Sequence, residues 1–357
     1  LGGVPMAFVL GLTGIAHLFT IGEPAYMSII TQRLFTGVNN FSLMCIPFFV
    51  LAGDLMNKGG VTKRLLNFAR ELVGWIPGGL GHANVVASII FAGMSGSAAA
   101  DAGGLGTIEM EAMTKNGYDE DFSGAVTAAS SVIGPIFPPS IPLIIYGATA
   151  SVSVAKLFMG GVLPGLLMGV ALMVLVFLFA IKYKFERHPF HVAALIRQFF
   201  GSILSLITPL IILAGFTTGW FTPTEASSIA VAYSLIIALI VYRTMDWKTF
   251  KHCLLESAIT SANTLFIIGT STLFTYVLVK EGASTAIANF ILGISQNPAV
   301  ILLIINVVLL ILGMFMEPGA ILTLMLPVLL PIIKSLNIDL VHFGVVMVLN
   351  LMIGQVT

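Results

Sequence analysis

The chain has 357 residues, 57% hydrophobic and 9% charged, with 16 basic and 16 acidic side chains and no formal net charge. A soluble domain carries about 45–50% and about 25% of these classes, so most of this surface must face lipid, and the chain reads as an all-α polytopic membrane protein. The balanced charge argues against a nucleic-acid partner, and no P-loop, GxGxxG, CxxC or HExxH pattern points to a nucleotide, redox or zinc site.

In chain order, a first helix is predicted near 5–20, followed by a loop holding only Arg33. A second, near 43–57, is followed by Lys58, Lys63, Arg64 and Arg70 on an amphipathic stretch, 61–75, suited to the membrane interface. The segment 83–115 is apolar at both ends but carries Gly93, Ser95, Gly96, Ser97, Asp101, Gly103, Gly104 and Gly106 in its middle. For the loop charges to alternate, it must enter and leave on one side, as a re-entrant hairpin with a non-helical tip. Such backbone is tolerable at membrane depth only when buried in protein or lining a wet cavity. The next span, 120–148, is broken at Gly134-Pro135-Ile136-Phe137-Pro138-Pro139, because proline cannot donate to the preceding turn.

Residues 149–218 connect the halves. A helix over 154–181 ends in Lys182, Lys184, Arg187, His188 and Arg197, a cytoplasmic linker, and 203–217 crosses outward. The second half, 219–357, begins with a span over 224–242 followed by Arg243, Lys248 and Lys251. A span over 257–279 is followed by Lys280 alone, then an amphipathic stretch over 283–294. A second hairpin over 299–334 has Gly313, Glu317, Pro318 and Gly319 at its centre, and a second broken helix runs from 340. The chain opens and stops inside apolar sequence, so further membrane segments are expected on both sides.

The two halves are copies. A spacing of 220 relates Gly93-Met94 to Gly313-Met314, Asp119 to Asp339, Gly124 to Gly344 and Gly134 to Gly354. A spacing of 222 relates Lys58, Gly60, Asn67 and Phe68 to Lys280, Gly282, Asn289 and Phe290. The basic loops swap places between the copies, the charge signature of an inverted-topology repeat. The domains are therefore a first repeat over 1–148, the connector over 149–218 and an inverted repeat over 219–357.

Hairpin tips and helix breaks suit charged solutes: half-helix N-termini offer N–H groups to anions, and unwound carbonyls offer oxygen to cations. Ser95 and Ser97 are packing residues on the bland reading. Beside the glycines and Asp101, a buried carboxylate that needs a partner or an ion, binding is the better reading. Glu225 follows Pro223-Thr224 and is a helix cap. Glu317 sits at the solute site or in water. Ser130, Ser131 and Asn350 face the breaks, to bind or to pack. The streak Asn263, Thr270, Ser271, Thr272 and Thr275 serves ion contact or helix association equally well. The scattered histidines form no metal site, and no acid–base or nucleophile constellation indicates an enzyme.

The runs F-A-G-M-S-G-S-A-A-A-D-A-G-G-L-G (91–106), S-V-I-G-P-I-F-P-P-S-I-P (131–142), F-T-P-T-E-A (221–226) and H-F-G-V-V-M-V-L-N-L-M-I-G-Q-V-T (342–357) resemble the large membrane subunit of tripartite ATP-independent periplasmic (TRAP) transporters, with the first run most similar to the sialic-acid branch. The resemblance implies an elevator-type fold that imports organic anions, sialic acids or C4-dicarboxylates, across the bacterial inner membrane on a sodium gradient. It implies two partners: a periplasmic substrate-binding protein, and a small four-helix membrane subunit that is sometimes fused ahead of the large one. It maps sodium onto Ser95, Ser97, Gly134, Pro135 and Pro138, and onto Gly313, Met316, Gly354 and Thr357. Solute contact falls to Ser97, Asp101, Ser140, Glu317 and Asn350. The competing expectation is a stand-alone citrate- or dicarboxylate-type symporter or antiporter of related fold.

Overall fold

A computed structural model describes residues 3–21, 25–185 and 189–357, and every regular element among them is helical. The helices are α1 (Met6–Ile21), α2 (Ala25–Val38), α3 (Cys45–Lys58), α4 (Val61–Val73), α5 (Gly79–Ser95), α6 (Ala98–Ala100), α7 (Thr107–Lys115), α8 (Glu120–Ser131) and α9 (Ile141–Ala150). They continue as α10 (Val154–Tyr183), α11 (Val192–Thr218), α12 (Pro223–Ile236), α13 (Trp247–Lys280), α14 (Ala283–Ile294), α15 (Pro298–Gly313), α16 (Pro318–Ser335) and α17 (Leu340–Gln355). Among the described residues, six segments are long and apolar enough to cross a membrane: Phe41–Lys58, Val154–Tyr183, Val192–Thr218, Pro223–Val241, Trp247–Lys280 and Pro318–Ser335. The 30 residues of α10 span about 45 Å, more than a hydrocarbon core of about 30 Å.

The helices form two compact units, one of residues 45–141 and 158–258, the other of 1–44, 142–157 and 259–357. These units cut across the sequence repeats: the second combines α1 and α2 of the first copy with the hairpin of the second. In the 45–141/158–258 unit, α12 packs on α3, α4 on α5, and α11 on α4. Its core joins Met56, Val61, Leu65, Ala69, Ala83, Ala87, Phe91, Met94 and Leu105. Val61, Leu65 and Ala69 recur every four residues along α4, so one stripe of this amphipathic helix is buried while Lys63 stays exposed. In the other unit α15 packs on α17 and α14 on α16, and Leu18 of α1 meets Leu273 and Val277 of α13.

Several segments differ from the expectation. The loop expected to hold Arg33 contains α2, with the Arg33 guanidinium over the Tyr276 ring at 4.4 Å. Its moderate, interrupted hydrophobicity hides it from a search for spans. Helix α13 starts at Trp247, so Lys248 and Lys251 ride on a helix; Asp246 caps its start, and its carboxyl is held below the usual range by the Thr249 hydrogen bonds. Helix α11 starts at Val192, so Arg197 is helical, while Arg187 and His188 lie outside the described residues. The glycine-rich run after the first tip is wound: Asp101–Gly106 forms a π-helix. In the second copy α17 continues through Gly354 to Gln355 with no proline to remove a donor, whereas Gly134 of the first copy already lies in non-helical backbone.

Candidate functional site

The first hairpin tip is two residues, Gly96 and Ser97, between α5 and α6. Gly96 has φ +62°, and an added Cβ there would lie 2.5 Å from the Pro139 carbonyl oxygen. Only glycine meets both demands, since other residues pay for φ above zero and for the contact. The reason for that contact is the break. Residues 132–140 are non-helical, between α8 and α9, and the Ile141 N–H donates back to the Gly96 carbonyl at 3.3 Å. A Cβ on Gly134 would lie 3.7 Å from the Ser97 carbonyl oxygen. Tip and break therefore touch through their main chains within one unit.

The oxygen chemistry follows. Among the described residues, the carbonyls of Gly134, Ile136, Phe137, Pro138 and Pro139 accept no backbone hydrogen bond. The Pro135 carbonyl accepts from the Ser140 hydroxyl, and both residues are buried. The Ser95 hydroxyl is buried, 2% exposed, and has no hydrogen-bond partner. The Ser97 hydroxyl accepts from the Ala100 N–H at 3.4 Å, capping α6, and the residue stays half-buried. An orphaned hydroxyl next in sequence to the tip, and spare carbonyls in the break that the tip touches, are hard-oxygen donors that suit a cation better than an anion.

The second tip is built differently. Residues 314–317 turn between α15 and α16. Gly313 packs on α17 so closely that its Cβ would lie 2.9 Å from the Leu351 carbonyl oxygen, and a Cβ on Gly354 would lie 2.6 Å from that of Leu310. The Met316 N–H is spent on Leu312 at 3.0 Å, and the Thr357 hydroxyl on Ile353 at 2.7 Å. Glu317 is exposed, the N-cap of α16 without a side-chain capping bond. Asn350, on α17, donates to Asn306 at 2.9 Å and to Val346 at 2.8 Å, so both amide hydrogens are used. What remains there for a solute is an acceptor oxygen.

Asp101 opens the π-helix and is 1% exposed, and neither carboxylate oxygen has a hydrogen-bond partner. The Ser88 hydroxyl approaches it but donates to Ser130 at 3.2 Å. A second such carboxylate was not legible beforehand: Glu109 is 2% exposed, equally unpartnered, and within electrostatic reach of Asp101. On a regular α-helix residues eight apart drift by about 80° from each other's face, and the π-turn changes that phase. The other polar residues resolve simply. Thr222 and Glu225 form a reciprocal capping box with Pro223 at the first helical position. Ser131 bonds back to Ala128, and Thr270 and Thr272 to their own helix, while Thr275 donates across to Thr323 at 3.2 Å.

Comparison with known proteins adds what geometry alone does not. The family profile described as the DctM component of the tripartite ATP-independent periplasmic transporter matches residues 1–357. A sialic acid TRAP transporter large permease protein of Vibrio cholerae is 43% identical over 99% of this chain and 83% of its own length. A sialic acid TRAP transporter permease protein of Haemophilus influenzae is 42% identical over 99% of this chain, which spans 58% of that relative. A C4-dicarboxylate TRAP transporter large permease protein of Pseudomonas aeruginosa is 38% identical over 98% of the chain. With a full-length profile match, a tip seated on an interrupted helix and six spans of membrane length, the chain belongs to the DctM family of tripartite ATP-independent periplasmic transporters.

Proposed function

We propose that this protein is the large permease subunit of a sodium-driven importer of a carboxylated organic anion, of the sialic acid or C4-dicarboxylate type, in the bacterial inner membrane. The observation that carries the reading is the contact of Gly96 and Ser97, next in sequence to the unpartnered Ser95 hydroxyl, with the interrupted segment 132–140, whose row of carbonyl oxygens is unspent. Sodium binds there through Ser95, Ser97 and the backbone of Gly134, Pro135 and Pro138, and a second sodium binds through Gly313, Met316, Gly354 and Thr357. Ser97, Asp101, Ser140, Glu317 and Asn350 serve the solute. The first tip (95–97) and the break (132–140) carry no arginine to clamp a carboxylate, so sodium and backbone N–H groups neutralise the acid. The names of the relatives support the solute class. A periplasmic binding protein delivers the solute, a small four-helix subunit completes the scaffold, and the hairpins carry the load across as an elevator.

The test is uptake into vesicles holding the full transporter, with sialic acid and succinate offered in parallel. Uptake should need both an inward sodium gradient and the binding protein. Uptake indifferent to sodium removes the reading. Full activity without the binding protein moves the chain to the stand-alone carrier class.

A further inference from the structure

Each unit ties the first arm of its hairpin to the helix that follows the hairpin through an asparagine. In one unit, Asn84 of α5 is 0% exposed. Its Nδ2 donates to the Thr127 hydroxyl at 2.8 Å, and its Oδ1 accepts from the Ser130 hydroxyl at 2.6 Å, both on α8. In the other unit, Asn306 of α15 offers its Oδ1 to Asn350 Nδ2 on α17 at 2.9 Å. The two ties occupy matching places in the copies: 222 residues separate Asn84 from Asn306, and 220 separate Ser130 from Asn350, the spacings that align the repeats. The helix after the hairpin is the donor to the asparagine oxygen in both.

Packing adhesion alone would place such bonds anywhere along the arms. These sit where register matters. Ser130 is on the last turn of α8, just before the interrupted segment. Asn350 lies one turn before Gly354, the residue that touches Gly313. A slip of one residue moves a helix by about 1.5 Å and removes a hydrogen bond of this length. It would also carry Gly96 off the Pro139 carbonyl and Gly313 off Leu351.

We propose that Asn84 and Asn306 are positioning residues for cation binding, each fixing the register of its hairpin so that the tip meets the cation-binding backbone. The inference rests on the sodium reading above. Neither asparagine touches the ion; each acts through the tip it holds.

The experiment uses the full transporter with its partners in vesicles, reading the sodium concentration for half-maximal uptake. Asn84→Ala and Asn306→Ala should each raise that concentration roughly tenfold, the worth of about one net hydrogen bond, with uptake at saturating sodium within about twofold of the parent. Asn306 is only partly buried, so Asn306→Gln has room to restore most of the lost affinity. Should Asn84→Ala fail to fold, Ser130→Ala and Asn306→Ala carry the test. An unchanged sodium requirement alongside a lower unfolding temperature means adhesion only, and overturns the proposal. Hydrogen exchange of residues 95–101 and 132–140 in sodium-free buffer gives a separate readout. It should quicken in Asn84→Ala, and unchanged exchange also overturns the proposal. If parent uptake ignores sodium, the sodium reading fails by itself, and exchange still decides whether the clasp exists.

Discussion

At the scale of single residues the informative side chains are those whose polarity is unpaid. Asp101 and Glu109 are buried carboxyl groups without hydrogen bonds, and a group held that way inside a membrane protein costs stability and is kept where function needs it. Asp101→Ala and Asp101→Asn should therefore fold, melt at or above the parent temperature in detergent, and lose at least tenfold of uptake. Uptake at the parent rate by a well-folded variant would take Asp101 out of the mechanism. Glu109→Gln should follow the same pattern, with thermal unfolding and vesicle uptake as the paired measurements. Asp101 was legible from sequence because an acid stood among glycines. Glu109 was not, because its neighbours Glu111 and Lys115 make the same stretch look like a solvated face.

At the scale of elements, the first hairpin and the broken helix form one joint. Proline in 135–139 denies α8 its continuation, and glycine at 96 lets the tip enter the gap. Gly96→Ala should cost about 1–3 kcal/mol, since it meets both an unfavourable φ and a carbonyl at 2.5 Å. The expected readout is a lower unfolding temperature together with a higher sodium requirement. Gly103→Ala is the control, because nothing lies within 4 Å of a Cβ there. The helix breakers were readable as chemistry: a missing N–H and a missing Cβ act locally. The π-winding of Asp101–Gly106 was not, because glycines permit a loop and a helix alike and packing against α8 and α5 selects between them. The continuous course of α17 through Gly354 has the same cause: a glycine permits a break, whereas a proline enforces one.

For the whole molecule, the charge pattern demands that the copies run in opposite directions. Lys63 and Lys251 are both exposed, on α4 and α13. Impermeant amine-reactive labelling of intact spheroplasts and of inside-out vesicles, read residue by residue by mass spectrometry, should find both lysines reactive from the cytoplasmic side. Reactivity from opposite sides would refute the inverted arrangement.

Composition, the 220-residue echo and the Pro/Gly positions by themselves determined that this is a helical membrane protein with two hairpins and a proline-broken span. Each of those signals is local: hydropathy over a helix length, a lost donor, a tolerated φ. Tertiary structure alone decided that Gly96 sits on Pro139, that Glu109 is buried, and that Asn84 and Asn306 find Ser130 and Asn350. Those facts depend on which residues meet across helices, and helix phase and packing settle that far from the residue concerned.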